Sequence, residues 1–142
     1  MKKPLVALSF FGAFLILFLS GCFLVDPSIK VVLLIENFKK YWEQEDPAAL
    51  AGLYTDPAHI NTATKTFAQI ENTYDGMFSG RGVVSFTFIS EKDIDFNATL
   101  TEADVQFTAV IDYTSGPNET KTYVWKVKRA GTRWLIYRSN NY

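Results

Sequence analysis

The sequence is poor in the residues that build disulfides and metal sites, because its 142 residues include one cysteine, Cys22, and one histidine, His59. A single cysteine excludes an internal disulfide bond. One cysteine and one histidine cannot form the Cys/His clusters that hold zinc, so we expect no metal site of this kind. The sequence also lacks a glycine-rich phosphate-binding motif at the start of a helix. We therefore expect no cofactor.

The sequence also lacks a marked excess of positive or negative charge, because it has 14 lysines and arginines and 15 aspartates and glutamates. No stretch is rich in lysine and arginine. A nucleic acid is therefore not an expected partner. Internal repeats and low-complexity segments are also lacking, and the chain length fits one domain after a short leader.

Charged residues are missing from the whole segment between Pro4 and Val25, and only Lys2 and Lys3 carry side-chain charge ahead of it. A short basic start followed by an apolar run is the layout of a secretory signal peptide. Because positive flanks stay on the cytoplasmic side, we expect the chain after Asp26 to cross the membrane.

The apolar segment ends in Leu19-Ser20-Gly21-Cys22, which resembles the lipobox of bacterial lipoproteins. The resemblance implies that the thiol of Cys22 receives a diacylglyceryl group and that the peptide bond before it is cleaved. It divides the chain into a signal peptide (1–21), a lipidated N-terminus with a short tether (22–28) and a domain (29–142). The expected location is the cell envelope, where the lipid anchors the protein to a membrane on its extracytoplasmic side.

Two other interpretations of this segment stay open. The apolar run is longer than the about 20 residues that span a bilayer, so it can also serve as an uncleaved transmembrane anchor. Alternatively, Cys22 can be a buried structural thiol. The lipid and the uncleaved helix both attach the domain to a membrane, with the domain facing away from the cytoplasm.

Two helices are predicted directly after the apolar segment. Asp26-Pro27 and Asp46-Pro47 each combine an N-cap residue with proline at the first helical position. The first helix is expected to end near Glu45. The second is expected to reach Tyr54, before a turn at Asp56-Pro57.

A third helix and an antiparallel sheet are predicted in the rest of the chain. Thr66 and Gln69 have the spacing of a capping box, and Gly80 and Gly82 are expected to end the helix. Apolar residues then recur at every second position, which indicates strands. They are Val84, Phe86, Phe88, Ile94, Phe96, Ala98, Val105, Phe107, Ala109, Ile111, Tyr113, Tyr123, Trp125, Val127, Trp134 and Ile136, with Arg138 continuing the last series. Helices followed by an antiparallel sheet make the predicted fold class α+β.

Three segments carry a resemblance to a known family: "LLIENFKKYWEQEDPAALAGLYTDPAHI", the helix end "YDGMF" and the terminal hairpin "YVWKVKRAGTRWLIYR". Together they resemble the nuclear-transport-factor-two-like superfamily, which includes ketosteroid isomerase. The resemblance implies a curved antiparallel sheet wrapped around three helices, forming a cone with a pocket open at one end. Many relatives dimerise through the outer face of the sheet, so a homodimer through that face is expected.

The resemblance also implies which residues line the pocket, namely those near the end of the second helix, on the third helix and on the inward face of the strands. They are Trp42, Tyr54, Asp56, His59, Ile70, Tyr74, Phe107, Tyr113 and Trp125. For each apolar or aromatic member, the alternative is ordinary core packing.

Asp56 and His59 form a candidate acid–base pair, because a neutral imidazole beside a carboxylate can move a proton near neutral pH. In the alternative interpretation, the aspartate of "TDPAH" caps the backbone of a turn and the histidine faces solvent. A reaction of the ketosteroid-isomerase type needs a carboxylate base with a tyrosine and a neutral aspartate as donors. Asp95 and Asp112 are expected to face outward, so the sequence departs from the pattern of that enzyme.

The function expected from the sequence is a membrane-anchored module that uses its pocket for a small apolar ligand or its sheet for a partner protein. The alternative is a small cofactor-independent enzyme, an isomerase or a hydrolase, that uses the same pocket. The module is favoured because apolar side chains are plentiful at the pocket positions, whereas convergent acid and base groups are few.

Overall fold

A computed structural model describes residues 26–142 of the chain. The predicted signal peptide (1–21) and the lipidation site Cys22 lie outside the described residues. Within the described part, no helix is both long enough and apolar enough to cross a membrane.

The described residues form three helices and a seven-stranded sheet. The helices are α1 (Pro27–Glu43), α2 (Pro47–Ala51) and α3 (Phe67–Arg81). The strands are β1 (Tyr54–Ile60), β2 (Ala63–Lys65), β3 (Val83–Phe88), β4 (Asp93–Phe96), β5 (Glu102–Tyr113), β6 (Glu119–Ala130) and β7 (Arg133–Asn141). The helices pack against a curved, unclosed sheet, which confirms the predicted α+β class.

The sheet follows the order β2-β1-β7-β6-β5-β3, and β4 also pairs with β5. β1 runs parallel to β7, whereas the other strand pairs described are antiparallel. The long strands β5, β6 and β7 therefore form the centre, and their inward side chains make the concave face on which the helices pack. The short strand β2 lies at one edge, and β3 and β4 share the other edge, along β5.

The core between α1 and the concave face is rich in aromatic rings. Five apolar residues recur at helical spacing along α1 and are all buried; they are Val31, Leu34, Ile35, Phe38 and Trp42. The ring centroid of Phe38 lies 4.9 Å from that of Trp125 and 5.3 Å from that of Tyr123, in edge-to-face geometry. Such pairs add stability beyond the area that they bury, so they hold α1 across β6.

The second helix is shorter than predicted, and the chain after it is a strand. α2 ends at Ala51, and Tyr54 opens β1 instead of closing the helix. Asp56-Pro57 lies inside β1, so the prediction of a turn there is wrong. The reason is tertiary: β1 pairs with β7 at the far end of the sequence, and Ile136 N–H donates to Leu53 C=O at 2.9 Å. Because β1 and its parallel partner β7 are far apart in the sequence, the residues next to β1 carry no sign of their pairing.

Two bulges break the predicted alternation of inward and outward side chains. Val84 is the extra residue of β3 opposite β5, and its side chain is 64% exposed instead of facing inward. Tyr137 is the extra residue of β7 opposite β6, so Ser139 is buried in place of Arg138. A bulge reverses the faces of the residues beyond it, which counting every second position cannot anticipate.

Side chains and glycine set two other element ends. Gly82, with a φ of 63°, ends α3 as predicted, whereas Gly80 is still helical. β4 ends at Phe96, before the predicted Ala98, because Asn97 Oδ1 accepts hydrogen bonds from Thr101 N–H at 2.9 Å and from Glu102 N–H at 3.2 Å and builds a turn.

Candidate functional site

A cavity of about 80 Å³ lies between α3 and the concave face of the sheet, next to the β1–β2 hairpin. Its lining residues are Trp42, Ile60, Asn61, Lys65, Ile70, Thr73, Tyr74, Met77, Lys121, Tyr123 and Asn141. Three larger depressions of the described surface, of about 250, 280 and 430 Å³, are open to solvent. The smaller cavity is more enclosed and is therefore the candidate site.

Helix α3 forms one wall of the cavity, and its start is held by two side chains. Thr66 N–H donates to Gln69 Oε1 at 2.9 Å, as part of the predicted capping box. Asp56 on β1 accepts a bond from Phe67 N–H at 3.1 Å. Both bonds give partners to backbone donors at the helix start that the helix itself leaves free. Tyr74, farther along α3, is thereby positioned against the sheet.

Two tyrosine hydroxyls meet beside the cavity. Tyr54 OH and Tyr74 OH are 2.8 Å apart, and both side chains are buried. Burial raises the pKa of Tyr54 to about 12, although hydrogen bonds with Tyr74 and Ser139 oppose the shift. Burial also raises the pKa of Tyr74 well above its usual value, and the nearby Tyr54 raises it further. Both hydroxyls therefore keep their protons at physiological pH.

Two groups in the cavity wall have no hydrogen-bond partner in the described part of the chain, the Tyr123 hydroxyl and Trp42 Nε1. Tyr123 is 1% exposed and Trp42 is 2% exposed, so bulk water does not reach them freely. Burial raises the pKa of Tyr123 well above its usual value, so its hydroxyl also stays protonated. Because a buried polar group without a partner costs about 1–3 kcal/mol, these two donors mark a place for a ligand or a bound water.

Two lysines add positive charge to the wall. Lys65 Nζ donates to Thr73 Oγ1 at 3.1 Å. Lys121 Nζ pairs with Glu119 Oε2 at 2.8 Å, and Glu119 also binds the guanidinium of Arg81. An ammonium group has three donors, so each lysine keeps donors for a ligand.

The amide side chains of Asn61 and Asn141 complete the polar part of the wall. Asn61 Oδ1 accepts a bond from Asn141 N–H at 3.0 Å, and Asn141 Oδ1 is 3.2 Å from Ser139 Oγ. Because both carboxamide oxygens already accept hydrogen bonds, what these side chains can offer a ligand is the N–H donors of their NH₂ groups.

The residues that the sequence singled out fall into four places, three of them at the cavity or in the core. Those that line the cavity are Trp42, Ile70 and Tyr74. Tyr54 lies behind them and contacts the Tyr74 hydroxyl. Phe107 and Trp125 pack in the core instead, with ring centroids 4.8 Å apart and exposures of 1% and 0%.

Asp56, His59 and Tyr113 lie outside the cavity wall. Asp56 is exposed and caps α3, whereas His59 Nδ1 is 3.4 Å from Thr64 Oγ1 in the β1–β2 hairpin. The prediction that they stand together at a helix exit is wrong, because both belong to a strand and have different partners. Tyr113 lies under the guanidinium of Arg81, with 3.6 Å between Cζ and the ring centroid.

Asp95 and Asp112, the two strand aspartates considered for a ketosteroid-isomerase type of reaction, do not line the cavity. Asp95 is exposed, and Asp112 accepts a bond from Ser85 Oγ at 2.7 Å. In residues 26–142, no group of three or more histidine, cysteine, aspartate and glutamate side chains is placed to hold a metal ion.

The sequence-based prediction missed most of the polar wall. Lys121 precedes Tyr123 by two positions on β6, so strand alternation alone puts both on the inward face, and this signal was present. Asn61 and Lys65 belong to the β1–β2 hairpin, which the apparent turn at Asp56-Pro57 concealed. Their side chains reach the cavity only because β1 joins the sheet beside β7.

No protein-family model and no curated protein matches the sequence. A nuclear-transport-factor-two-like protein with a cystatin-like fold from Novosphingobium aromaticivorans is 18% identical, with a TM-score of 0.65 over 97% of this chain and 90% of that chain. An uncharacterized protein with a cystatin-like fold from Caulobacter vibrioides is 12% identical, with a TM-score of 0.69 over 82% and 88%. A protein provisionally named a scytalone dehydratase, also from N. aromaticivorans, is 18% identical, with a TM-score of 0.65 over 80% and 81%. At these identities the likeness concerns the fold alone, and it agrees with the predicted α+β fold of helices packed on a curved antiparallel sheet.

Proposed function

We propose that this chain is a lipid-anchored, extracytoplasmic module that binds a small ligand in the cavity beneath α3. The observation that carries the proposal is a pair of buried donors in the wall, Tyr123 OH and Trp42 Nε1, which have no partner among residues 26–142. Such groups lose their bonds to water on folding and recover a partner when a ligand with an acceptor atom enters.

The composition of the wall supports binding over acid–base catalysis. Among the described residues, the lining contains no aspartate, glutamate or histidine. The raised pKa values of Tyr54, Tyr74 and Tyr123, which burial causes, make these hydroxyls poor at exchanging protons near neutral pH. Asp56 serves the start of α3, and His59 lies in the hairpin. A binding site needs only a suitable shape and well-placed donors.

The alternative is a cofactor-independent enzyme that uses the same cavity, and one observation favours it. Tyr54 and Tyr74 place two hydroxyls 2.8 Å apart in a buried site. Preorganised donors of this kind can stabilise negative charge that develops on a substrate oxygen. One protein of similar fold carries a provisional dehydratase name, although one fold hosts many functions.

The membrane anchor in this proposal rests on the lipobox-like sequence. Cys22 ends that motif, and α1 begins at Pro27, so few residues separate the expected lipid from the first helix. Two acyl chains are enough for stable attachment. The cavity would then stay close to the membrane surface.

The test begins with the full chain purified in mild detergent from its own membrane. Native mass spectrometry is expected to show a small molecule bound to the protein. Asp56→Asn and His59→Gln should leave its affinity close to that of the parent, whereas Tyr123→Phe should weaken it by about tenfold. Conversion of the molecule to a product, with turnover lowered about 10²- to 10³-fold by Tyr54→Phe or Tyr74→Phe, would instead favour the enzyme. An empty cavity together with a tightly retained partner protein would overturn the proposal.

A further inference from the structure

Resting on the proposed function, we infer that the cavity selects a small monocarboxylate, a singly charged anion with a short apolar chain. Three properties of the wall point to this class of ligand: the polarity of its free groups, its charge and its volume.

The free polar groups of the wall are donors. Trp42 Nε1 can only donate, and the ammonium groups of Lys65 and Lys121 can only donate. The Tyr123 hydroxyl is protonated and has no partner in residues 26–142. The oxygen of Asn61, which could accept, is already bonded to a backbone N–H. A ligand that satisfies this wall must therefore present acceptors, and a carboxylate presents two oxygens that accept about four bonds.

The charge of the wall favours a single negative charge on the ligand. Lys121 already has a carboxylate partner, Glu119, at 2.8 Å, and Arg81 binds the same carboxylate. Lys65 contacts a neutral partner, Thr73, at 3.1 Å. Lys65 is thus the wall cation that lacks a carboxylate partner within the described chain. A dianion such as phosphate would bring more charge into a buried site than this lysine offsets.

The volume limits the ligand to a few heavy atoms. The cavity has a volume of about 80 Å³. It is smaller than the about 150 Å³ of a cavity that accepts benzene. A carboxylate with one or two further carbons fits this space, and Ile60, Ile70 and Met77 offer apolar contacts for its chain. The small apolar ligand expected from the sequence is thereby refined to one with an anionic head.

The direct test compares propionate with propionamide, which has nearly the same shape and no charge. The full chain in detergent micelles is titrated with each compound, and the indole N–H resonance of Trp42, assigned with Trp42→Phe, reports binding in the cavity. We expect propionate to bind at least about tenfold more tightly than propionamide, because bonds to a charged acceptor are the stronger ones. Inorganic phosphate should bind more weakly than propionate.

Matched variants locate the binding. Tyr123→Phe and Lys65→Met should each weaken propionate about tenfold, since each removes one donor to the carboxylate. Tyr137→Phe and Lys128→Met are the controls, because these two side chains contact each other on the outer face of the sheet, with 5.6 Å from Nζ to the ring centroid. They should leave the affinity unchanged.

The outcomes separate this inference from the proposed function. Equal binding of propionamide, tighter binding of phosphate, or insensitivity to Tyr123→Phe and Lys65→Met would overturn the monocarboxylate and leave a binding cavity in place. If propionate does not bind but the protein carries another small molecule from its membrane, the monocarboxylate is likewise overturned and the binding cavity is retained. If propionate fails to bind and no small molecule co-purifies, the proposed function fails as well.

Discussion

At the scale of single residues, the molecule keeps a hydroxyl where packing alone would favour phenylalanine. The ring of Tyr123 stacks on Phe107 with centroids 5.0 Å apart and meets Phe38 edge-to-face at 5.3 Å. Its ring therefore serves the core, whereas its hydroxyl lacks a partner in the described part of the chain. Residues that lower stability in this way are common at functional sites.

Tyr123→Phe is expected to raise the free energy of unfolding by about 1 kcal/mol, because it removes a buried hydroxyl without a partner and keeps the ring. Urea denaturation followed by circular dichroism measures the change. The control Tyr137→Phe, on the outer face, should stay within about 0.5 kcal/mol of the parent. A loss of stability in Tyr123→Phe would show that the hydroxyl is bonded in the free protein.

At the scale of elements, α1 and the residues after it protect the free edge of β3. Lys39 Nζ donates to Phe86 C=O at 2.6 Å, and Glu43 Oε1 accepts from Phe86 N–H at 3.1 Å. Glu45 binds Val83 N–H in the same manner. β3 pairs with β5 on its other side, so these side chains give partners to backbone groups that would otherwise be open to another strand.

A charge network joins the end of α3 to the connection between β5 and β6. Arg81 binds Glu119, donates to Pro117 C=O at 2.8 Å and stacks on the ring of Tyr113. Partial burial raises the pKa of Glu119, but hydrogen bonds from Lys121 and Arg81 outweigh this effect and lower the pKa to about 2.

Glu119 is expected to contribute stability at neutral pH that is lost in acid. Its pKa is lowered in the folded protein from the usual 4.5, so the unfolded chain binds the proton first as the pH falls. The contribution is complete above 4.5 and disappears as the pH approaches about 2. Glu119→Gln should be less stable than the parent at neutral pH and should lose stability less steeply between about pH 5 and about pH 3.

Urea unfolding across this pH range measures the effect of Glu119→Gln. Glu91→Gln, at an exposed position, is the control and should follow the parent. Equal pH slopes for the parent and for Glu119→Gln would contradict the role assigned to the network.

At the scale of the whole molecule, the expected lipid on Cys22 decides where the cavity operates. Because a thiolate is a far better nucleophile than a serine hydroxyl, Cys22→Ser is expected to abolish acylation. Intact mass spectrometry of the detergent-extracted parent should show a chain that begins at Cys22 and carries a diacylglyceryl group. An unmodified chain that begins at Met1 would support the uncleaved transmembrane anchor instead.

The homodimer expected from the resemblance stays a prediction, and the outer face of the sheet sets its character. Lys126 pairs there with Asp104 at 2.8 Å, and the hydroxyls of Thr108 and Thr122 are 3.0 Å apart. An interface on this face would therefore be polar and salt-sensitive.

The sequence by itself determined the features that depend on near neighbours. Aspartate–proline pairs at Asp26-Pro27 and Asp46-Pro47 start α1 and α2, because capping acts within one turn of helix. The alternation along β5 and β6 identified the inward residues, because one face of these strands is buried and the other is not. Trp42 and Tyr74, which the resemblance to the nuclear-transport-factor-two-like superfamily implied for the pocket, do line the cavity.

Only the tertiary structure decided the features that join distant segments. β1 became a strand because β7 lies beside it, and the extra residue Val84 of β3 emerges only in the pairing of β3 with β5. Lys65 and Lys121 share a cavity because the hairpin and β6 meet under α3. From the sequence alone, Tyr123 cannot be distinguished from the other aromatic residues at inward strand positions. Whether its hydroxyl finds a partner depends on the packing around it, and the rings that contact Tyr123 include Phe38, Phe86 and Phe107, which lie far apart in the sequence.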